Sequence, residues 1–386
     1  MNTFELDKTY VAPTYARFPL EIVSGEGCRV KDADGKTYID LGTGIAVNIF
    51  GYNDEEWKAA VTSQLNKFQH TSNLFYSEPC ARLAQLLCEK TGMKKVFFSN
   101  SGAEANECAI KAARKYAETK KGKDNYNIIT LKNSFHGRTL ATLAATGQDV
   151  FHADFLPVTP GFLYADANDI WNIDALLAKY RVAAIMIEVV QGEGGVMPLD
   201  KEYVLELAEI ARRYDILLIC DEVQCGNGRT GEMYGYMNYG IKPDIVTTAK
   251  GLGGGLPIGA TLLGPKVEDV YKPGDHGSTF GGNPVVCAGA CSIVSRLDRA
   301  LFDSVKAKSK IIFDTLTGKP GIKSVSGLGF MIGVETEKDA GEVIAKCREG
   351  GVIVIKAKNK IRLLPPLNID EDTLKAALDV IVAAAK

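Results

Sequence analysis

Apolar positions in this chain follow two alternating periods. From Val96 onward, short runs of adjacent apolar residues alternate with longer stretches of helical spacing. Short continuous runs suit strands buried on both faces. Residues 96–98, 127–131, 183–188, 216–220 and 245–248 read as such strands, and 103–120 and 201–214 as helices between them. The first of these helices is rich in alanine, with Ile110, Ala113 and Ala117 on one face. Alternation of this kind predicts an α/β fold with a mostly parallel central sheet. Residues 258–263 add a further strand, placed at an antiparallel edge.

The flanking regions differ. Residues 1–20 carry no period and read as irregular; 22–40 read as short strands with a turn at Asp34-Gly35. A loop of small residues follows, and 53–68 and 79–91 have helical spacing. After Gly282-Asn-Pro284 one long helix is predicted to about Arg299. Strands at 322–326, 331–335, 352–355 and 361–364 come next, with helices between them and at the end. We expect a large domain over 49–290 and a smaller α+β domain over 291–386, which the segment 1–48 joins.

Composition narrows the partners. The chain has 45 basic and 47 acidic residues, so neither nucleic acid nor an anionic membrane is favoured as its main partner. Nine scattered cysteines without a Cys-x-x-Cys read as reduced thiols of a cytoplasmic protein, with neither a disulfide framework nor a metal site. Acids and a proline stand where a signal peptide needs an apolar core, and no apolar run is long enough to cross a bilayer.

The candidate chemistry gathers at predicted strand ends, where open α/β sheets hold their ligands. Asp221 follows the run Ile216-Leu-Leu-Ile-Cys220, and Lys250 follows Ile245-Val-Thr-Thr248-Ala249. An amine and a carboxylate so placed suit pyridoxal phosphate, which takes a lysine on its aldehyde and an acid against its ring nitrogen. Gly226-Asn-Gly228-Arg-Thr-Gly231 matches a dinucleotide-binding pattern, but no good helix follows it. The glycines around Lys250 are no P-loop, because there the lysine comes first. Ser101-Gly102-Ala103 opens a helix and offers free N–H groups to an anion. Ser101 with Glu104 is equally a capping box that needs no ligand. Phe135 suits either stacking on a flat ring or core packing, and Arg138 either a carboxylate or solvent. His136 reads as a loop histidine without a role. Glu193, in Gly192-Glu-Gly194-Gly195, is either a movable charge or a solvated turn residue. Ser278 and Thr279 lie in a donor-rich loop suited to phosphate. Arg362, in an apolar strand, needs an anionic partner.

Together, SNSGAEAN, NSFHGRTLA, QGEGG, DEVQ, the Lys250 loop and GSTFGGNP resemble the class III aminotransferases of fold type I. The resemblance runs from about Tyr15 to the C-terminus. It implies pyridoxal 5'-phosphate as cofactor, linked to Lys250, which then shuttles the substrate proton. It implies that Asp221 holds the ring nitrogen protonated, that Gln224 meets the ring hydroxyl and that Phe135 stacks on the ring. Ser101, Gly102 and Ala103 would receive the phosphate. Thr279 would reach the phosphate of a second subunit, with Ser278 near substrate, so a homodimer is implied. GTGIAVN and NLFYSEP point to the branch that moves the δ-amino group of N2-acetyl-L-ornithine to 2-oxoglutarate in arginine biosynthesis. Arg138 would take the α-carboxylate of the first substrate and Arg362 that of the second, with Glu193 masking Arg362 in between. Val189 stands where the family usually has proline, and Cys225 where it has threonine. Succinylornithine, ornithine and 4-aminobutyrate remain alternative substrates. The tyrosine that ornithine enzymes carry near Gly44 is missing here. A non-catalytic cofactor-binding protein is the reading from another class.

Overall fold

The computed structural model describes residues 1–386. Its centre is a seven-stranded sheet. Across it run Lys95–Ser99, Gly259–Leu263, Ile245–Thr248, Leu217–Asp221, Val182–Ile187, Asn127–Leu131 and Phe162–Ala165. The last five pair in parallel, and Gly259–Leu263 is antiparallel to both its neighbours. Every residue of Val182–Ile187, Leu217–Asp221 and Ile245–Thr248 is buried, which is why these strands read as unbroken apolar runs. The helix Gly102–Lys121 lays a face of alanines on the sheet, and Lys201–Arg213 buries Tyr203, Val204, Leu207 and Ile210. Each such fully buried Leu or Ile contributes roughly 1.5–3 kcal/mol.

Residues 22–40 form three antiparallel strands, and Val352–Ile353 adds in parallel to Thr37–Asp40. A further antiparallel sheet has the order Ile322–Leu328, Met331–Thr336, Lys360–Leu363, Ile355–Ala357. One apolar core joins it to the central sheet through Leu297, Phe302, Phe330, Leu364 and Leu367.

Four features depart from the sequence expectation. Residues 3–10 are a helix, started by a reciprocal Asn2–Glu5 capping box although none of its residues is buried. Phe162–Ala165 and the helix Ile170–Lys179 carried too short and too mixed a pattern to be seen. The helix expected from Pro284 to about Arg299 is present as Pro284–Arg296, but a second one, Arg299–Leu316, follows it unforeseen. It starts after a break at Leu297-Asp298, where Asp298 accepts the Leu301 N–H at 2.9 Å. Gly259–Leu263 is antiparallel as expected, but it lies inside the sheet, because Lys95–Ser99 covers its outer side.

Candidate active site

The parallel strands end together, and the loops beyond them enclose a cavity of about 470 Å³. Ser101, Gly102, Ala103, Phe135, Arg138, Asp221, Gln224 and Lys250 all line it. The spacing of these residues in sequence, more than a hundred positions, is closed by strand order alone.

Ser101 caps the helix Gly102–Lys121, its hydroxyl accepting the Glu104 N–H at 3.2 Å. Only half of the expected capping box forms, because the Glu104 carboxylate accepts the Asn100 N–H at 2.7 Å instead of returning to the Ser101 N–H, and the cap uses only part of the helix end. The N–H groups of Gly102 and Ala103 precede the first intrahelical bond, from Ala105 N–H to Ser101 O, and have no partner in the helix. A side chain at Gly102 would meet Val223 at 2.7 Å, and one at Gly137 would meet Ala103 at 2.9 Å. Small residues are thus required where the chain closes on this helix end.

Asp221 is buried in a ring of donors. Its Oδ2 accepts from Asn106 Nδ2 at 2.7 Å and lies 2.8 Å from His136 Nδ1; its Oδ1 accepts the Val223 N–H at 3.0 Å. Burial works against a charge on His136, but the bond and charge of Asp221 outweigh it and raise the imidazole above its ordinary value. Burial lifts nearby Glu188 to about 7, opposed by the His136 charge. His136 and Asn106 are the residues that sequence reasoning missed. Asn106 was findable, because it stands one turn before Ile110 on the apolar face of its helix. His136 gave no such signal, since its partner Asp221 is 85 positions away.

Lys250 follows Thr248 through Ala249 and takes φ +44, a conformation that costs a side-chain-bearing residue energy and that recurs at functional sites. Burial pulls its amine below the ordinary lysine value, opposed by the Glu193 charge. A partly neutral amine is the nucleophilic form.

Arg362 enters from the strand Lys360–Leu363 and is only 3% exposed. Its Nη1 meets Glu193 Oε1 at 2.5 Å and Gln224 Oε1 at 2.9 Å. Burial works to raise the Glu193 carboxyl, and the charge and hydrogen bond of Arg362 outweigh it, holding that carboxyl below its usual range. Gln224 also donates to Glu193 Oε1 at 3.4 Å, so it belongs to this cluster as well as to the cavity wall. Arg138 is exposed and lies across two aromatic faces, 4.3 Å from the centre of Phe151 and 5.6 Å from that of Phe135. Ser278 and Thr279 do not line the cavity. Ser278 accepts from Asn100 Nδ2 at 3.1 Å, and Thr279 is exposed. The two departures from family pattern are local: Val189 is fully buried, and the Cys225 thiol reaches Val190 O at 3.2 Å.

The model of the family described as "Aminotransferase class-III" matches residues 10–385. The chain is 50% identical to an acetylornithine aminotransferase of Haemophilus ducreyi, over 98% of this chain and 96% of that one. It is 42% identical to one of Methanocaldococcus jannaschii, over 98% and 97%. Among solved structures, the ornithine aminotransferase of Toxoplasma gondii superposes with a TM-score of 0.95 at 33% identity, over 99% of this chain and 94% of that one. The N-acetylornithine aminotransferase of Stenotrophomonas maltophilia gives 0.85 at 35%, over 99% and 98%. Strand-end lysine and aspartate, capped helix end and masked arginine fall within the matched region, and the chain belongs to the class-III aminotransferases, the pyridoxal-phosphate-dependent transaminases.

Proposed function

We propose that the protein moves the δ-amino group of N2-acetyl-L-ornithine to 2-oxoglutarate. The observation that carries this reading is the closed Glu193–Arg362 pair beside the Lys250 cavity. One substrate brings an uncharged methylene to the reacting end and the other a carboxylate. A buried arginine with a displaceable counter-charge accommodates both. High identity to acetylornithine aminotransferases over nearly the whole chain supports the acyl substrate.

The residues present fit pyridoxal 5'-phosphate. The free N–H groups of Gly102 and Ala103 suit its phosphate, and the absence of a Cβ at Gly102 lets Val223 pack against that helix end. Gln224 suits the ring hydroxyl and the Phe135 face the ring. When bound, the cofactor supplies an electron sink for the carbon that loses its proton. Asp221, fixed by Asn106, His136 and the Val223 N–H, is the carboxylate that would face the ring nitrogen and favour its protonated form. Lys250, the amine that lines the cavity, would hold the cofactor and serve as the base that moves the substrate proton. Arg138, steadied on Phe151, holds the α-carboxylate of acetylornithine.

A panel of amines tests the reading. With N-acetylornithine, loss of the cofactor's visible absorbance should be about tenfold or more faster than with ornithine or 4-aminobutyrate at equal concentration. Succinylornithine reports the breadth of the acyl pocket. Faster reaction with ornithine would overturn the substrate, and no reaction with any amine would leave a non-catalytic binding protein.

The partner in this reading is a second copy of the chain. Thr279 is exposed beside Phe280, which is 58% exposed, and Asn73 ties their loop to Leu74, Phe75 and Tyr76, of which Leu74 is 88% exposed. An apolar surface of this kind suits a homodimer. Thr279 would then serve the phosphate in the partner's site. Mixing Lys250→Ala with Thr279→Ala subunits should restore about a quarter of wild-type turnover by random pairing, since each hybrid keeps one whole site. Hybrids that form without recovery would remove Thr279 from the partner's site. No helix of the chain is long and apolar enough to cross a membrane.

A further inference from the structure

The loop Gly226–Asn–Gly228–Arg–Thr–Gly231 carries the dinucleotide pattern, but it binds the C-terminal part of its own chain. A side chain at Gly228, φ +85, would strike Leu367 at 2.6 Å, and one at Gly231 would strike the Lys306 stem at 2.6 Å. From the other side, a side chain at Gly329 would strike Thr230 at 2.5 Å and Arg229 O at 2.6 Å. The two backbones meet directly: Phe330 N–H donates to Arg229 O at 2.8 Å. The glycines are therefore there for close approach of two segments about a hundred residues apart.

Arg229 is wholly buried and has no acidic partner. Its Nη1 donates to the carbonyls of Phe330, at 3.4 Å, and Pro365, while Nε and Nη2 have no partner within the protein. A buried charge held only by carbonyls is a costly way to fill space. Methionine or leucine would fill it better. What the guanidinium provides is a fixed distance between the loop and Pro365, three residues after Arg362. The same loop reaches the cavity at its other end, where buried Asn227 donates to Thr248 Oγ1 at 3.0 Å and to Ala249 O at 3.2 Å, next to Lys250.

We propose that this loop is a gauge between the two ends of the active site, and that Arg229 is a positioning residue for Arg362. It sets the preference for a dicarboxylate without touching one. The proposal rests on the reading of Arg362 as the carboxylate clamp.

The probe is glutarate, a dicarboxylate with no carbonyl to react, so the result does not depend on which amine is the true donor. In Arg229→Met, which keeps the volume and removes the charge, glutarate should bind about tenfold more weakly to the holoenzyme, as read from its effect on cofactor absorbance. Hydrogen exchange should quicken over residues 362–367 and stay unchanged over 245–250. Reaction with the amine donor and cofactor content should stay within about twofold of wild type. Gly329→Ala, which pushes the same two segments apart without altering Arg229, should show the same split, and it serves if Arg229→Met fails to fold. Arg362→Ala calibrates the reading: if it leaves glutarate binding intact, the clamp itself is wrong. If Arg362→Ala weakens glutarate while Arg229→Met and Gly329→Ala do not, or if they slow the amine side equally, the loop is a core contact only and the gauge is refuted.

Discussion

Replacing Lys250 by alanine is expected to leave a folded protein that still binds the cofactor, no longer covalently, and turns over about 10³-fold more slowly or worse. The fold should tolerate the change. Alanine has the same Cβ, so the φ of +44 at this position is no more strained than before. Ala249 is held independently by Asn227, and the loop that follows is closed by Leu252 and Gly253 N–H groups on Ala249 and Lys250 carbonyls. What is lost is one amine. Its burial lowers the cost of the neutral, nucleophilic form near neutral pH, and no other lysine lines the cavity. The checks are a melting temperature within a few degrees of wild type, cofactor that dialysis removes, and absence of the half-reaction with acetylornithine. Covalent cofactor or wild-type-like turnover in the variant would move the chemistry to another residue.

How far the sequence foretold this site follows from how each residue is held. Lys250 and Asp221 were legible because each ends an unbroken apolar run, and parallel strands bring their ends together whatever lies between. The helix end at Ser101 was legible but ambiguous. It proved to be both a helix cap, though not the full reciprocal box, and a lining of the cavity, and nothing in a sequence separates those uses. His136 was invisible because its meaning comes from one bond to Asp221 across the sheet. The pattern Gly226–Gly231 was set aside as a dinucleotide site, but its real use was illegible for a related reason. Glycines report close approach, and the sequence does not say of what; here it is Phe330 and Leu367 of the same chain. The loop around Glu193 is the same kind of case. Its glycines suggested freedom to swing, yet a side chain at Gly192 would meet Gln224 at 2.5 Å and one at Gly194 would meet Asn133 O at 2.7 Å. Val196 beyond them is fully buried with φ +54 and its carbonyl accepts from Ser326 at 2.9 Å. The backbone is closely packed on both sides there, which favours switching by the Glu193 side chain.

That constraint sharpens the second large effect. Glu193 is 29% exposed while Arg362 is 3% exposed, so the carboxylate can turn toward water and the guanidinium cannot. Removing Glu193 leaves Arg362 with Gln224 Oε1 and Lys356 O as its acceptors, which is poor compensation for a buried charge. Any substrate carboxylate that reaches it then gains. Glu193→Ala should therefore slow the half-reaction with acetylornithine, whose uncharged end now faces a bare guanidinium, by about tenfold. The same variant should speed reaction with glutamate, because no counter-charge has to be displaced. Arg362→Ala should do the reverse, lowering kcat/KM for glutamate and 2-oxoglutarate by about 10²-fold or more and sparing acetylornithine. Protonation is not the trigger at neutral pH. Arg362 holds the Glu193 carboxyl below the ordinary glutamate value, so the pair's contribution is complete above that value and is lost only as pH falls through the depressed one. The switch at neutral pH must come from the incoming carboxylate, and the preference of the wild type for acetylornithine over glutamate should be flat through neutrality. Stopped-flow half-reactions on both variants decide the matter: opposite changes on the two substrates support the mask, whereas equal losses on both in each variant would reduce the pair to a structural contact.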